Sequence, residues 1–313
     1  MNPAISVVLL TTLIGAGQGL FLALFAAELA GHARSDVAQG SFFAFGGGIA
    51  VALTAAGLVA SMFHLGRPER GWRAAAMWRT SWLSREVIVL PLFMAAAFFW
   101  TLAHGFGWHS GARLALGASA ALACIGLFLC TAMIYASIRF LQEWASALTV
   151  VNYFVLGLAS GCTLASALAA ARAPALLEPF GVAALLFTAL GLTTRWLSLV
   201  RNARLKPRST PRTAIGIHHP VIRQRAMGFM GGSFNTREFF HGRQASTLRR
   251  LKWAFLLMAF VLPLMLLGAG TVLRSGALLA AAFAVQFGGL LIERWFFFAQ
   301  ANHPQNLYYA AVS

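Results

Sequence analysis

Eight apolar runs, each about twenty residues long, constrain this chain more than any other feature. A helix needs about 20 apolar residues to cross the hydrocarbon of a bilayer. The runs predict such helices at about 5–30, 42–64, 83–104, 112–134, 149–171, 179–200, 252–273 and 276–299. Turn and charge punctuation separates them: Gly31-His32 with Arg34 and Asp36, Gly66-Arg67-Pro68, Gly105 to Gly111, Arg139 to Glu143, Arg172 to Pro179, and Arg274 to Gly276. The expected fold class is all-α, a polytopic membrane bundle of about eight transmembrane helices. Charged residues make up only 10% of the chain, against about 25% in a soluble domain. That is too few to clothe a soluble core of this length, whereas lipid requires no charged shell. The last two runs are joined by two or three residues and should form a hairpin. Gly15, Gly17, Gly19, Gly46, Gly47 and Gly48 fall inside helices, where small residues permit close helix contact.

Charge gives the bundle a direction. A net charge of +16 would suggest nucleic acid in a soluble protein. Here the basic residues lie between apolar runs, so membrane topology explains them and no nucleic-acid partner is expected. Eight spans put both termini on one side. About 20 of the Lys and Arg residues fall on that side, against Arg34, Arg113, Arg172 and Arg274 on the other. The positive-inside rule then predicts cytoplasmic termini in a bacterial inner membrane. Met1 to Ser6 carry no Lys or Arg. The basic n-region of a signal peptide is therefore missing, and the first helix is expected in the mature protein.

Three parts follow: a six-helix membrane part (1–200), a basic cytoplasmic loop (201–250), and a C-terminal hairpin with its tail (251–313). Pro207, Pro211 and Pro220 predict an extended first half of the loop. Its second half runs Gly228-Phe229-Met230-Gly231-Gly232-Ser233-Phe234-Asn235-Thr236-Arg237-Glu238-Phe239-Phe240. Asn235 with Glu238 fits the logic of a capping box. The aromatic and Met content suits a docking surface, with Arg237, Glu238, Phe239 and Phe240 as candidates.

Ionisable groups inside a membrane are costly and mark function by default. His64 ends the second helix and Glu86 opens the third, in the same cytoplasmic leaflet. Between and beyond them run Arg67, Arg70 and Trp72, then Trp78 and Trp82, residues suited to the interface. A His and a carboxylate there could exchange protons with water while touching a lipid-soluble redox molecule. A quinone gains two protons with its two electrons and needs such groups. The residues alone weigh this reading evenly against interfacial groups that merely tidy helix ends. Gln18, in the middle of the first helix, could line a pocket. Structural pairing is favoured for Arg139 with Glu143, four apart, for Glu293 and Arg294, and for Glu28 and Asp36 with Arg34.

Cys124, Cys130 and Cys162 lie in apolar runs with no CxxC pair, so an iron–sulfur cluster or structural zinc in this chain is disfavoured. Haem held by two histidines needs a pair at matched depth, and His32, His64, His104, His109 and His303 offer none. Gly231-Gly232 lacks the Gly-Lys-Ser/Thr ending of a phosphate-binding loop. A secondary transporter would need midplane ionisable groups and corresponding broken helices in two repeats, for which Gln18 and the first-helix glycines are thin support.

Phe63-His64-Leu65-Gly66-Arg67-Pro68, then Leu83-Ser84-Arg85-Glu86, then Met133-Ile134-Tyr135, in eight helices, resemble the membrane anchor subunit of DMSO reductase-type complexes. The resemblance covers essentially the whole chain. It implies a heterotrimer of a molybdopterin catalytic subunit, an iron–sulfur electron-transfer subunit and this anchor, which meets membrane lipid and the quinone pool, ubiquinone or menaquinone. It also implies that His64 and Glu86 bind the quinone; the residues themselves add Gln18 as a pocket-lining candidate, and Arg67 and Arg70 to hold the local charge balance or contact the partner. The long loop looks like the branch of that family found with sulfite dehydrogenases that face the cytoplasm. Electrons would then pass from sulfite oxidation to quinone, the alternative direction being that of a quinol-oxidising S-oxide reductase.

Overall fold

Each apolar run is a helix, because a backbone in hydrocarbon has no water to satisfy its N–H and C=O groups. The computed structural model describes residues 1–32, 37–208, 210–222 and 239–307. Helix α1 covers Ile5–Ala27 and continues through a π-helical turn, Glu28–His32. Then come α2 (Val37–Met62), α3 (Trp82–Gly105), α4 (Ser110–Ala136), α5 (Ala147–Arg172) and α6 (Leu177–Ala203). Helix α7 is one continuous span, Ala245–Val272, with a π-helical turn at Leu257–Val261, and α8 covers Gly276–Ala299. Among the described residues there is no strand, and eight helices are long and apolar enough to cross a membrane. Serines start several of them. Ser81, Ser146 and Ser275 accept hydrogen bonds from the N–H groups of Ser84, Leu148 and Leu278, satisfying donors that the helix itself leaves unpaired.

Two local expectations are corrected. Helix α7 begins at Ala245 rather than 252, so Arg249 and Arg250 form its exposed opening turns. Long basic side chains can be helical at a membrane boundary, because their stems cover apolar surface while their heads reach water. Arg139 and Glu143 share no helix face, because α4 ends at Ala136 and residues 137–146 are turns. Arg201 reaches across to the carbonyls of Gln142 and Ala145, at 3.0 and 3.2 Å, and shapes this segment. Glu143 instead accepts from Asn302 Nδ2 at 3.3 Å.

The bundle is organised around α1 and α5, whose spans are 67% and 61% buried, against 33–39% for the other six. They cross at Gly15-x-x-x-Gly19 and Gly157-x-x-x-Gly161. A Cβ on Gly19 would fall on the carbonyl of Gly157, and one on Gly161 would fall on the backbone of Gly19. Small residues let two backbones approach this closely, and dispersion between them replaces the missing hydrophobic drive in lipid. Helix α2 packs on α1, α3 on α4 and α2, and α6 on α5. Helices α7 and α8 form the expected hairpin, with α8 against α5.

The π turn in α7 has an identifiable cause. Pro263 has no N–H to give the carbonyl of Ala259. Gln286 Nε2 of α8 supplies a donor at 3.4 Å and also donates to Thr188 Oγ1 at 3.0 Å. The freed backbone acceptor is thus re-satisfied by a neighbouring helix, as hydrocarbon requires. The chain start lies beside the end of α8: the Met1 amino group donates to Ala301 O at 2.8 Å. Both ends of the described chain therefore sit on one face, together with the α2–α3, α4–α5 and α6–α7 connections. We refer to it as the basic face.

Candidate functional site

Helix α3 is capped by Ser81, so its first turns carry Ser84 and Glu86 inward. Glu86 is buried, and the Thr131 hydroxyl of α4 donates to its carboxylate. It faces a cavity between α1, α3, α4, α5 and α8. Gln18, Thr131, Tyr153, Ser160 and Arg294 supply the other polar groups of the wall, and Ile14, Phe128, Leu156 and Leu290 the apolar ones. Gln18 is held there by its Nε2, which donates to the Cys124 carbonyl at 2.9 Å. The space is about 20 Å3, enough for a water or two, whereas a cavity of about 150 Å3 admits a benzene ring.

A charged cluster backs this cavity. Arg195 Nε of α6 lies 2.6 Å from Glu293 Oε1 of α8, with both side chains almost fully buried. Arg294 Nε lies 3.6 Å from the other Glu293 oxygen, and its guanidinium sits 4.0 Å over the Tyr153 ring. Glu293 thus pairs with two arginines within the bundle. Burying such charges costs several kcal/mol per ion unless each finds a partner. Toward the basic face an aromatic cluster follows. Tyr135 packs on Tyr153, Trp144 and Phe297 at centroid distances of 5.9, 5.4 and 5.7 Å. Trp144 Nε1 fixes the arrangement by donating to Phe297 O at 2.8 Å.

The sequence candidates separate into groups. Glu86 and Gln18 meet in one cavity. His64, Arg67 and Arg70 lie exposed on the α2–α3 connection, which runs through a 3-10 helix, Pro68–Met77, and they do not line that cavity. Although its surface is largely open, neighbouring groups partly desolvate the His64 imidazole and hold it below the ordinary histidine pKa. Exposed Phe63, Trp72, Met77 and Trp78 accompany it, with Arg73 and Arg79 guanidinium groups over Trp72 and Trp78 at 5.6 and 5.3 Å. On the loop, Phe239 is half-buried and stacks on His303 with centroids 3.9 Å apart, and Phe240 is half-buried as well. Arg237, Glu238 and the Asn235 cap lie outside the described residues.

Sequence reasoning expected Glu293 and Arg294 to pair, as they do at 3.6 Å, but missed Arg195 as a member of the buried cluster. Arg195 was counted only as a cation of the basic side, although it falls inside the predicted 179–200 run, where its cost was itself a signal. Glu293 and Arg294 were read as a helix-end pair, without Arg195 or Tyr153. The expected pairing of Glu28 with Arg34 involves a residue outside the described ones, and the structure gives Glu28 other partners. The π turn extends α1, and Glu28 is buried against α3 and α4. Trp100 Nε1 donates to it at 2.7 Å, His104 Nε2 lies at 3.1 Å, and Arg113 Nε at 3.9 Å. Arg34 and Asp36 lie outside the described residues. All three cysteines are buried and free. Among the described residues, no three His, Cys, Asp or Glu side chains group as metal ligands would. A roomier crevice, about 450 Å3, is a largely apolar groove between α1, α7 and α8 at the basic face.

A bundle with one basic face and eight candidate spans among the described residues defines a class: a multi-pass membrane protein. The family model described as DMSO reductase anchor subunit (DmsC) matches residues 1–309, and the chain belongs to that family. It is 53% identical to a sulfite dehydrogenase subunit of Allochromatium vinosum, over 100% of both chains. Membership makes it a subunit of a multisubunit oxidoreductase complex, as the motif resemblance implied.

Proposed function

We propose that this chain is the quinone-reacting subunit of a sulfite dehydrogenase-type complex. It passes electrons from an iron–sulfur partner on the cytoplasmic face to a quinone in the inner leaflet. The observation that carries the reading is Glu86, a carboxylate buried at the opening of a transmembrane helix, facing Arg294, Tyr153 and Gln18 across a polar cavity. Reduction of a quinone forms two O–H bonds, so the site needs a proton carrier and hydrogen-bond donors at the quinone oxygens. Glu86 serves as the carrier, and the Thr131 hydroxyl donates to its carboxylate. Since the cavity is only water-sized, a quinone ring engages Glu86 by parting the surrounding side chains or from the edge of the site. His64 meets the incoming ring from the α2–α3 connection. The 20-to-4 division of basic residues supports cytoplasmic termini. The relative's description as a sulfite dehydrogenase subunit supports sulfite as the electron source.

The test uses the complete complex. Glu86→Gln should lower sulfite-dependent quinone reduction at least about a hundredfold, a loss of about 2.7 kcal/mol of transition-state stabilisation. Sulfite-dependent reduction of an artificial dye should be unchanged, because dyes take electrons before the quinone does. Full quinone turnover in Glu86→Gln would overturn the reading.

A further inference from the structure

A second cavity lies between the Glu86 site and the basic face. It measures about 10 Å3, and Asn152, Tyr153, Arg195, Ser198, Glu293 and Arg294 form its inner wall. Tyr153 and Arg294 also line the Glu86 cavity, so the two spaces share a partition of two side chains. The far end of the second cavity is walled by Glu143, Arg201 and Asn202, all half-buried where α6 ends and the α4–α5 turns begin. The inner wall offers Asn152 Oδ1 and Arg195 Nη2 with no protein hydrogen-bond partner, and Glu293 Oε2, which has only Arg294 Nε at 3.6 Å. A space of about 10–15 Å3 with two to four such groups is what a buried water occupies.

We propose that this second cavity is the proton entry to the Glu86 site, running from the basic face past Ser198, Asn152 and Glu293 to the Tyr153–Arg294 partition. The proposal rests on the quinone reading of Glu86. In the balanced step, quinone takes two electrons from the iron–sulfur partner and two protons from water on the basic face. Two O–H bonds form and quinol leaves. Each proton moves along water in the second cavity, crosses at Tyr153 and is held by Glu86. The titratable and charged groups facing this path are Glu143, Tyr153, Arg195, Arg201, Glu293 and Arg294. Pairing of charge keeps it passable: Glu293 lies 2.6 Å from Arg195 and 3.6 Å from Arg294.

The path can be plugged without touching Glu86. Asn152→Leu and Ser198→Val each replace a polar wall atom with hydrocarbon, and Asn152→Ala and Ser198→Ala leave room for water. In the complete complex, the plugged variants should reduce quinone at least about tenfold more slowly. Their deuterium-oxide solvent isotope effect should be enlarged, a small permeant weak acid should restore part of the rate, and dye reduction should be unchanged. The alanine variants, which keep room for water, should slow turnover less than the plugged variant at the same position. Ser198→Val is the milder change and decides the matter if Asn152→Leu does not assemble. Quinone turnover and isotope effect at parental values in an assembled plugged variant would overturn the entry path. If Glu86→Gln abolishes turnover while the plugs do not, the path alone fails. If Glu86→Gln turns over fully, the quinone site itself fails.

Discussion

The α1–α5 crossing makes a graded prediction that three glycines of the first two helices can test. Ala is favoured over Gly within a helix by up to about 1 kcal/mol, so Gly→Ala should stabilise wherever a methyl group meets nothing. Gly48 is such a position, with no atom within 4 Å of the added carbon, and Gly48→Ala should stabilise by up to about 1 kcal/mol. At Gly17 the added carbon would stand 2.7 Å from the Ala50 carbonyl oxygen and 2.7 Å from Thr54 Oγ1. Overpacking of this kind costs about 1–3 kcal/mol, and after the propensity gain Gly17→Ala should lose about 1 kcal/mol. At Gly19 the obstacle is the backbone of Gly157, which no rotamer change can move aside. Gly19→Ala must separate two helices along their crossing and should lose more than about 2 kcal/mol, the upper end of the overpacking range less the propensity gain. Unfolding of the purified chain in mixed detergent micelles, followed by titration with a denaturing surfactant, ranks the three. A Gly19→Ala protein as stable as Gly48→Ala would refute the close crossing.

Other outcomes follow from the buried charges and the topology. Arg195→Leu leaves Glu293 short of its nearest partner and should destabilise the chain by about 3–5 kcal/mol; Arg195→Leu combined with Glu293→Leu should recover most of that in the same unfolding assay. His64 should be a neutral imidazole at pH 7, because its folded pKa is lowered. Its stabilising share is therefore present above the unfolded pKa of about 6.5 and falls away as pH drops, and carbon-13 NMR of labelled histidine should give a midpoint below about 6.5. A reporter fused after the last helix should be active only in the cytoplasm; periplasmic activity would reverse the orientation drawn from the basic residues.

What was legible in the sequence follows from what is expensive in lipid. The eight spans showed at once, since hydrocarbon demands continuous apolar runs. Glu86 and Gln18 stood out because polar groups inside such runs are costly. Glycine pairs at Gly15 and Gly19 hinted at a close contact but could not name Gly157 and Gly161 as its other half, which is fixed only when α1 and α5 cross. The same holds for Arg195, Glu293 and Arg294. Their ionisable side chains were visible in α6 and α8, yet their burial depends on Tyr153 from a third helix. Glu28 fell inside the predicted first helix, but its partners Trp100 and His104 come from another helix and are fixed only when that helix packs against it. The separation of His64 from the Glu86 cavity was equally out of reach, since the course of the α2–α3 connection sets it.

The central claim is that quinone chemistry takes place at Glu86. The most direct measurement is photolabelling of the complete complex with an azido-quinone, followed by peptide mapping. The account predicts label on the opening turns of α3 and on α4 near Thr131, lost when excess quinone competes. Competed label confined to the roomier groove of Ile5, Leu9, Leu251 and Trp295, with none on α3 or α4, would contradict it.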